Sequence, residues 1–422
     1  MRPRPDDERI VVTGLGAVTS IGSDVETFWR NLLAGRGGAA PITSFDTSGY
    51  KTHIGCEVRD FDATRVLGEH AVHLSRATQL AATAAAMALS DAGWSWSGPA
   101  CATNAPLATR RLDALRTAVS IGTTLGEPQI LERMPETWDH WRPESPVWEE
   151  LVDAPCSVIA QQVAAAFQVR GPNATIPTAC AAGNYAIAHA YELLRAGRAD
   201  VALAGGADAF SRSAFTGFSR LLAMSPDLCK PFDRNRRGLL LGEGAGVLVL
   251  ETLAGARGRG ARVHAEVLGY GLSCDAYHIT GPHPEGQGAS AAMTKALACA
   301  GVGLEDVSYI NAHGTGTVHN DRIETLAIKK VFGKRAYDIP VSSIKALTGH
   351  VMGGASALEA IACTLAIREA VVPPTWNYET PDPDCDLDYV PNAPRRLSVR
   401  VAVNNSYAFG GNNASVILGA VS

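Results

Sequence analysis

The chain has 422 residues, with 37 Lys and Arg against 42 Asp and Glu for a formal charge of −5, and 46% hydrophobic residues of which few are aromatic. At roughly 100–200 residues per domain, this length calls for two domains or one duplicated architecture. High hydrophobicity with low net charge excludes a disordered chain, and interspersed charges leave no footprint for nucleic acid or an anionic membrane surface.

The charged, proline-bearing start Met1–Glu8 reads as a frayed terminus without an apolar leader, which makes a cytoplasmic protein the expectation. Arg9–Val18 is a β-branched apolar run ended by glycines, the pattern of a buried strand and loop. Ser23–Ala34 follows as a helix with Asp24 and Glu26 near its start, and Ser75–Ala92 as an Ala-rich helix. Ala118–Ile121 and Val201–Ala204 read as buried strands. Between them Glu127–Glu150 changes character: Trp138, Trp141 and Trp148 stand among prolines and charges, the composition of an ordered surface excursion or subunit contact.

Leu253–Arg262, with three glycines and three arginines, reads as a linker between two structured blocks. Beyond it strand and helix signals alternate: Val263–Tyr270, Ala289–Cys299, Val307–Ala312, Ile323–Val331, Pro340–Ile344 and Ala355–Arg368. This is α/β architecture. Ser398–Ser406 and Ala414–Leu418 flank a glycine turn as a hairpin-like pair. No apolar stretch approaches the roughly 18–20 residues of a membrane-spanning helix. Nine cysteines without CxxC pairs fit neither a disulfide framework nor a zinc site, so no metal is expected.

Cys180 stands in Pro177-Thr-Ala-Cys-Ala-Ala-Gly-Asn184, where a sharp turn opens the helical stretch Tyr185–Arg195. A helix N-terminus favours thiolate, and neighbouring backbone N–H groups can hold an oxyanion. His313 in His313-Gly-Thr-Gly-Thr317 and His350 in Lys345-Ala-Leu-Thr-Gly-His350 both follow strand-like runs and project into loops. Asn404-Asn-Ser-Tyr-Ala-Phe-Gly-Gly-Asn-Asn413 is a glycine turn able to approach a ligand closely. Taken singly, the cysteine also reads as a small core residue, each histidine as a satisfied structural one, and the turn as a plain hairpin.

At these four segments the sequence resembles the β-ketoacyl-acyl-carrier-protein synthases, the elongating type II ketosynthases of the thiolase superfamily. The resemblance extends to the opening Arg9–Gly22, Arg170–Asn173, Leu203–Asp208 and Ser225–Gly246, and so covers nearly the whole chain. It implies an α/β thiolase fold of duplicated halves, here 9–255 and 262–420, forming a five-layered α-β-α-β-α core. The implied reaction is a decarboxylative Claisen condensation of an acyl group on Cys180 with malonyl-acyl-carrier protein. His313 and His350 would hold the enolate, and the backbone N–H groups of Cys180 and Phe409 the oxyanion, with the Phe409 ring as gate. Lys345 paired with Glu359 would act structurally and electrostatically, and Thr315 and Thr317 would bond the phosphopantetheine arm.

The resemblance further implies no cofactor beyond the phosphopantetheine of acyl carrier protein. The expected partners are that carrier and a second ketosynthase-like chain, in a homodimer or in a heterodimer with a chain-length factor. Pro155–Thr178 and the Trp-rich segment would lie near that interface. Leu125 is a candidate acyl-pocket determinant, against ordinary core packing. Arg76 and Arg220 are candidates for a basic rim facing the acidic carrier, against ordinary surface arginines. Asn412 stands where Thr is usual, and Tyr407-Ala408 replaces the more frequent Phe-Gly. These gate departures, with the unusual Trp-rich insertion, lean toward polyketide rather than fatty-acid assembly. A non-decarboxylating acyltransferase and a silent chain-length-factor-like subunit are the competing readings, the second opposed by the presence of Cys180.

Overall fold

The computed structural model describes residues 5–98, 110–137 and 151–421. The three tryptophans of the Trp-rich segment, with the rest of 138–150, lie outside the described residues.

Ten strands form the centre, in two sets of the same design. The first set is β1 (Ile10–Thr19), β2 (Thr117–Gly122), β3 (Asn173–Ile176), β4 (Val201–Asp208) and β5 (Gly244–Thr252), in spatial order β3-β2-β4-β5-β1. The second is β6 (Ala265–Cys274), β7 (Tyr309–Asn311), β8 (Val341–Ser342), β9 (Val401–Tyr407) and β10 (Asn412–Gly419), in the matching order β8-β7-β9-β10-β6. Strand directions repeat too. In each set the second strand is parallel to the third and fourth, and the fourth, fifth and first run antiparallel in turn. The edges β1 and β6 pair over Ile10–Val12, which joins both sets into one surface.

Eight helices complete the layers used below: α1 (Val25–Ala34), α2 (Arg76–Asp91), α3 (Val158–Ala166), α4 (Ala182–Arg195), α5 (Arg212–Arg220), α6 (Gln287–Ala300), α7 (Val318–Phe332) and α8 (Ala355–Glu369). Helices α2 and α3 cover the outer face of the first sheet, α6 and α7 that of the second, and α4 and α8 lie between the sheets. Every residue of α8 from Ala355 to Ala366 is buried. A helix without a polar face fits only where both sides are covered. Small residues allow equally close packing outside: a Cβ at Gly16 on β1 would stand 1.8 Å from the Ala84 carbonyl oxygen of α2.

Local signals act as read at α1, where the Asp24 carboxylate accepts from Thr27 N–H at 2.7 Å and Gly35 closes the helix in the left-handed region. The expected linker is different. Leu253–Gly258 is a short helix capped by Thr252, with Leu253 and Ala256 packed on Val11. Arg259 then anchors the crossing through Glu251 (2.8 Å) and the Ala92 carbonyl (2.7 Å). Capping and packing override the low helix propensity of its glycines. Strands β3 and β5 and helix α5 are further elements that local pattern did not single out. No helix among the described residues is long and apolar enough to cross a membrane.

Candidate active site

Cys180 occupies the 3₁₀ turn Ala179–Ala181 that leads into α4, with Ala179 at φ +51°. A non-glycine residue in the left-handed region is strained and persists only where its surroundings hold it. Part of that hold comes from the other half: Ser406 Oγ on β9 donates to the Cys180 carbonyl at 2.8 Å. The backbone N–H groups of Cys180 and Phe409 both donate toward the Cys180 sulfur.

His313 stands two residues beyond the end of β7. Its N–H donates to Glu324 Oε1 on α7 at 2.7 Å, and the Gly314 N–H to Glu324 Oε2 at 2.8 Å. His350 is held through its backbone, donating to the Leu240 carbonyl at 2.7 Å and accepting from Gly242 N–H at 3.0 Å. The two imidazoles meet edge to face, ring centroids 5.3 Å apart at 82°. Lys345 is buried with them. Its ammonium donates to the His313 carbonyl at 2.7 Å, lies 3.4 Å from His313 Nδ1 and pairs with the buried Glu359 carboxylate. An ammonium has donors only, so Nδ1 accepts and the His313 ring proton resides on Nε2.

Burial first, then the Lys345 charge, holds both histidines well below the usual imidazole range, so both are neutral N–H donors. Burial also pushes the Cys180 thiol up to about 12, with the Lys345 charge opposing it. This corrects the expected thiolate: the helix terminus is outweighed by removal of the sulfur from water, and the resting thiol is protonated. Glu324 is pushed up to about 8 by the same burial, despite its two N–H partners.

A cavity of about 390 Å³ brings Cys180, His313 and His350 together with Thr315, Thr317 and Phe409. The threonine hydroxyls are 2.9 Å apart. The Phe409 ring rests on Phe218 of α5, centroids 5.4 Å apart. Tyr407 and Ala408 also line this space, so that departure from the usual pattern sits at the site, whereas Asn412 is outside the cavity lining.

Two expected residues stand elsewhere. Leu125 is 41% exposed and outside the cavity lining, its N–H bonded to Asp208 Oδ1 at 3.3 Å. Arg76 is held in the structure, bonding Glu243 Oε1 and the Val58 carbonyl at 2.8 Å each, so it is no free rim cation. Arg220 does lie on the surface, in a groove with Lys51 and Arg237, and the groove adjoins the cavity through Leu222 and Arg237. Glu324, Ser406 and Phe218 are site residues that motif reading missed. The one signal for Glu324 was an acidic residue on the helix after the His313 turn.

Residues 7–256 match the family described as beta-ketoacyl synthase, N-terminal domain, and residues 264–379 its C-terminal domain. A 3-oxoacyl-[acyl-carrier-protein] synthase 2 of Synechocystis sp. is 42% identical over 421 residues, covering 97% of this chain and 98% of its own. The solved structure of the ishigamide ketosynthase/chain length factor superposes with a TM-score of 0.89 at 43% identity, over 98% of this chain and 99% of that one. A type II PKS acyl-carrier protein in complex with its ketosynthase bound to the hexaketide provides a second, with a TM-score of 0.85 at 33% identity and the same coverage. Near-complete coverage at this identity, over a fold of two matched halves, places the chain in the β-ketoacyl synthase family.

Proposed function

We propose that the chain is a β-ketoacyl-acyl-carrier-protein synthase that joins an acyl group held on Cys180 to a malonyl-type extender. One observation carries the reading: one cavity brings a buried cysteine sulfur together with two backbone N–H groups and two neutral imidazoles.

In the first stage the Cys180 thiol loses its proton to a neutral imidazole as the sulfur attacks the thioester carbonyl of an acylated carrier. The N–H groups of Cys180 and Phe409 hold the oxyanion, and the carrier thiol leaves with the proton. In the second stage the extender's carbon–carboxylate bond breaks and carbon dioxide departs. The electron pair passes to the thioester oxygen as an enolate, which accepts hydrogen bonds from His313 and His350. The enolate carbon attacks the acyl-Cys180 carbonyl, a carbon–carbon bond forms and the Cys180 sulfur leaves as thiolate, which takes a proton from water to restore the resting thiol. The product is a β-ketoacyl chain two carbons longer on the second carrier. Lys345 fixes the His313 tautomer, with Glu359 balancing its charge. Thr315 and Thr317 stand where the phosphopantetheine arm would pass. The scheme uses no resident metal or redox cofactor.

Carbon dioxide release from malonyl-carrier protein, together with mass spectrometry of the acyl group on Cys180, tests this reading. The Cys180→Ala variant should fold but accept no acyl group, and retained condensation in it would refute the proposal. The acyl mass also separates fatty-acid from polyketide assembly. The likeness to a ketosynthase/chain length factor structure supports a second reading, in which this chain is the catalytic half of a heterodimer. Co-purification from native cells of one or two related chains decides between them.

A further inference from the structure

The duplicated fold repeats the turn that carries Cys180. In each half the chain leaves the third strand region, passes a non-glycine residue in the left-handed region and enters the central helix: Ala179 at φ +51° before α4, Met352 at φ +49° before α8. The two turns pack against each other. In the second turn Gly353 holds the place that Cys180 holds in the first. Its N–H faces the carboxylate of Asp208, the last residue of β4, at 2.6 Å to Oδ2. A Cβ at Gly353 would meet that oxygen at 2.7 Å and Thr123 backbone at 2.6 Å, so the space is already filled.

Asp208 is buried, and its other partners come from the loop after β2. Thr123 Oγ1 donates to Oδ1 at 2.8 Å, Thr124 N–H to Oδ2 at 2.9 Å and Leu125 N–H to Oδ1 at 3.3 Å. One carboxylate thus collects donors from a first-half loop and from the second-half turn three residues beyond His350. Converging N–H groups of this kind make an anion-holding concavity.

We propose that Asp208 is a positioning residue for the condensation. Its carboxylate locks the Met352–Gly354 turn to the first half, and so fixes where His350 stands relative to Cys180. Among the described residues, Cys180 and Glu127 are ionisable groups that feel its charge. The Asp208 charge also disfavours the Cys180 thiolate, which gives the assignment a signature apart from stability.

The inference rests on the proposed reaction for one readout and is independent of it for the other. With Asp208→Asn in the full chain, carbon dioxide release and condensation should fall by about 10²-fold, the scale of a roughly 1 Å misplacement, with acyl transfer to Cys180 falling less. Alkylation of Cys180 by iodoacetamide should become faster at fixed pH near neutrality and its pH profile should move down, because a neighbouring negative charge is gone. Asp208→Glu, which keeps the charge, should leave that profile in place. Thr123→Val, which removes the bond to Oδ1 and the one that Thr123 Oγ1 accepts from Gly126 N–H but keeps the carboxylate and its N–H partners, is the second variant should Asp208→Asn not fold, and should lower condensation in the same sense. An unchanged ratio of condensation to acyl transfer in Asp208→Asn, or in Thr123→Val if only that folds, overturns the positioning role. An unmoved alkylation profile in Asp208→Asn overturns the electrostatic one. A wild-type chain that releases no carbon dioxide defeats the proposed function instead, and leaves the alkylation result standing.

Discussion

Phe218 on α5 and Phe409 in the glycine turn lie with ring centroids 5.4 Å apart and planes tilted by 30°. One ring belongs to the first half and one to the second, and both face the cavity that holds Cys180. The Phe409 N–H is also one of the two donors toward the sulfur, so the position of this ring and the state of the oxyanion site are linked.

Removing the Phe218 ring forfeits an aromatic contact of about 0.5–1.5 kcal/mol, equivalent to about two- to tenfold in a conformational equilibrium. Phe218→Ala should therefore open the turn more often and speed iodoacetamide modification of Cys180 by that factor. Rates equal to wild type would show that Phe218 does not restrain the turn.

Lys345 and Glu359 are both buried and paired. Taking away one partner leaves an uncompensated charge, at a cost of about 3–5 kcal/mol, whereas replacing both with apolar groups avoids most of that loss. Urea denaturation should show Glu359→Gln far less stable than the double variant Lys345→Met with Glu359→Leu. The double variant should also lose condensation, since Lys345 sets the His313 tautomer. A double variant no more stable than the single one would contradict the account.

Burial raises the Cys180 thiol to about 12 from the ordinary value of 9. The reactive thiolate fraction then grows about tenfold for each pH unit up to about 10, with no levelling near 9. The sign follows from the raised value: below it the folded protein holds the proton, and alkylation rises as pH climbs. A plateau near 9 in the alkylation rate of the folded chain would place the sulfur in a more polar setting.

Two arginines should separate structure from recognition. Arg76→Ala breaks charge-assisted bonds to Glu243 and should cost about 2–3 kcal/mol in denaturation with little change in KM for carrier protein. Arg220→Glu should leave stability near wild type and raise that KM by about three- to tenfold, more at low salt than at high. Equal effects of both on KM would put Arg76 at the carrier surface.

The residues proposed to react were legible because each lies in a short glycine-punctuated motif beside an apolar run. Cys180, His313, His350 and the 404–413 turn need only neighbours in sequence to be recognised as strand ends and helix starts. Lys345 was legible through its own motif, and Glu359 only through the resemblance. The repeated strand order was foreshadowed by alternation but established only by pairing, such as β1 with β5 and β6 with β10.

The alternation of strand and helix signals by itself determined the α/β class, and the order of the motifs determined the family resemblance, which implied the duplicated plan that length alone left open. Tertiary structure decided what each group experiences. Cys180 is bonded to Ser406, Arg76 to Glu243 and Asp208 to Gly353, in each case more than a hundred residues away. Desolvation and ion pairing depend on those distant neighbours, so the protonated thiol, the structural role of Arg76 and the exposed place of Leu125 had no local signature. The expected linker turned out to be a capped and anchored helix for the same reason. Its order comes from packing on Val11 and bonds to Glu251, not from its glycine-rich composition.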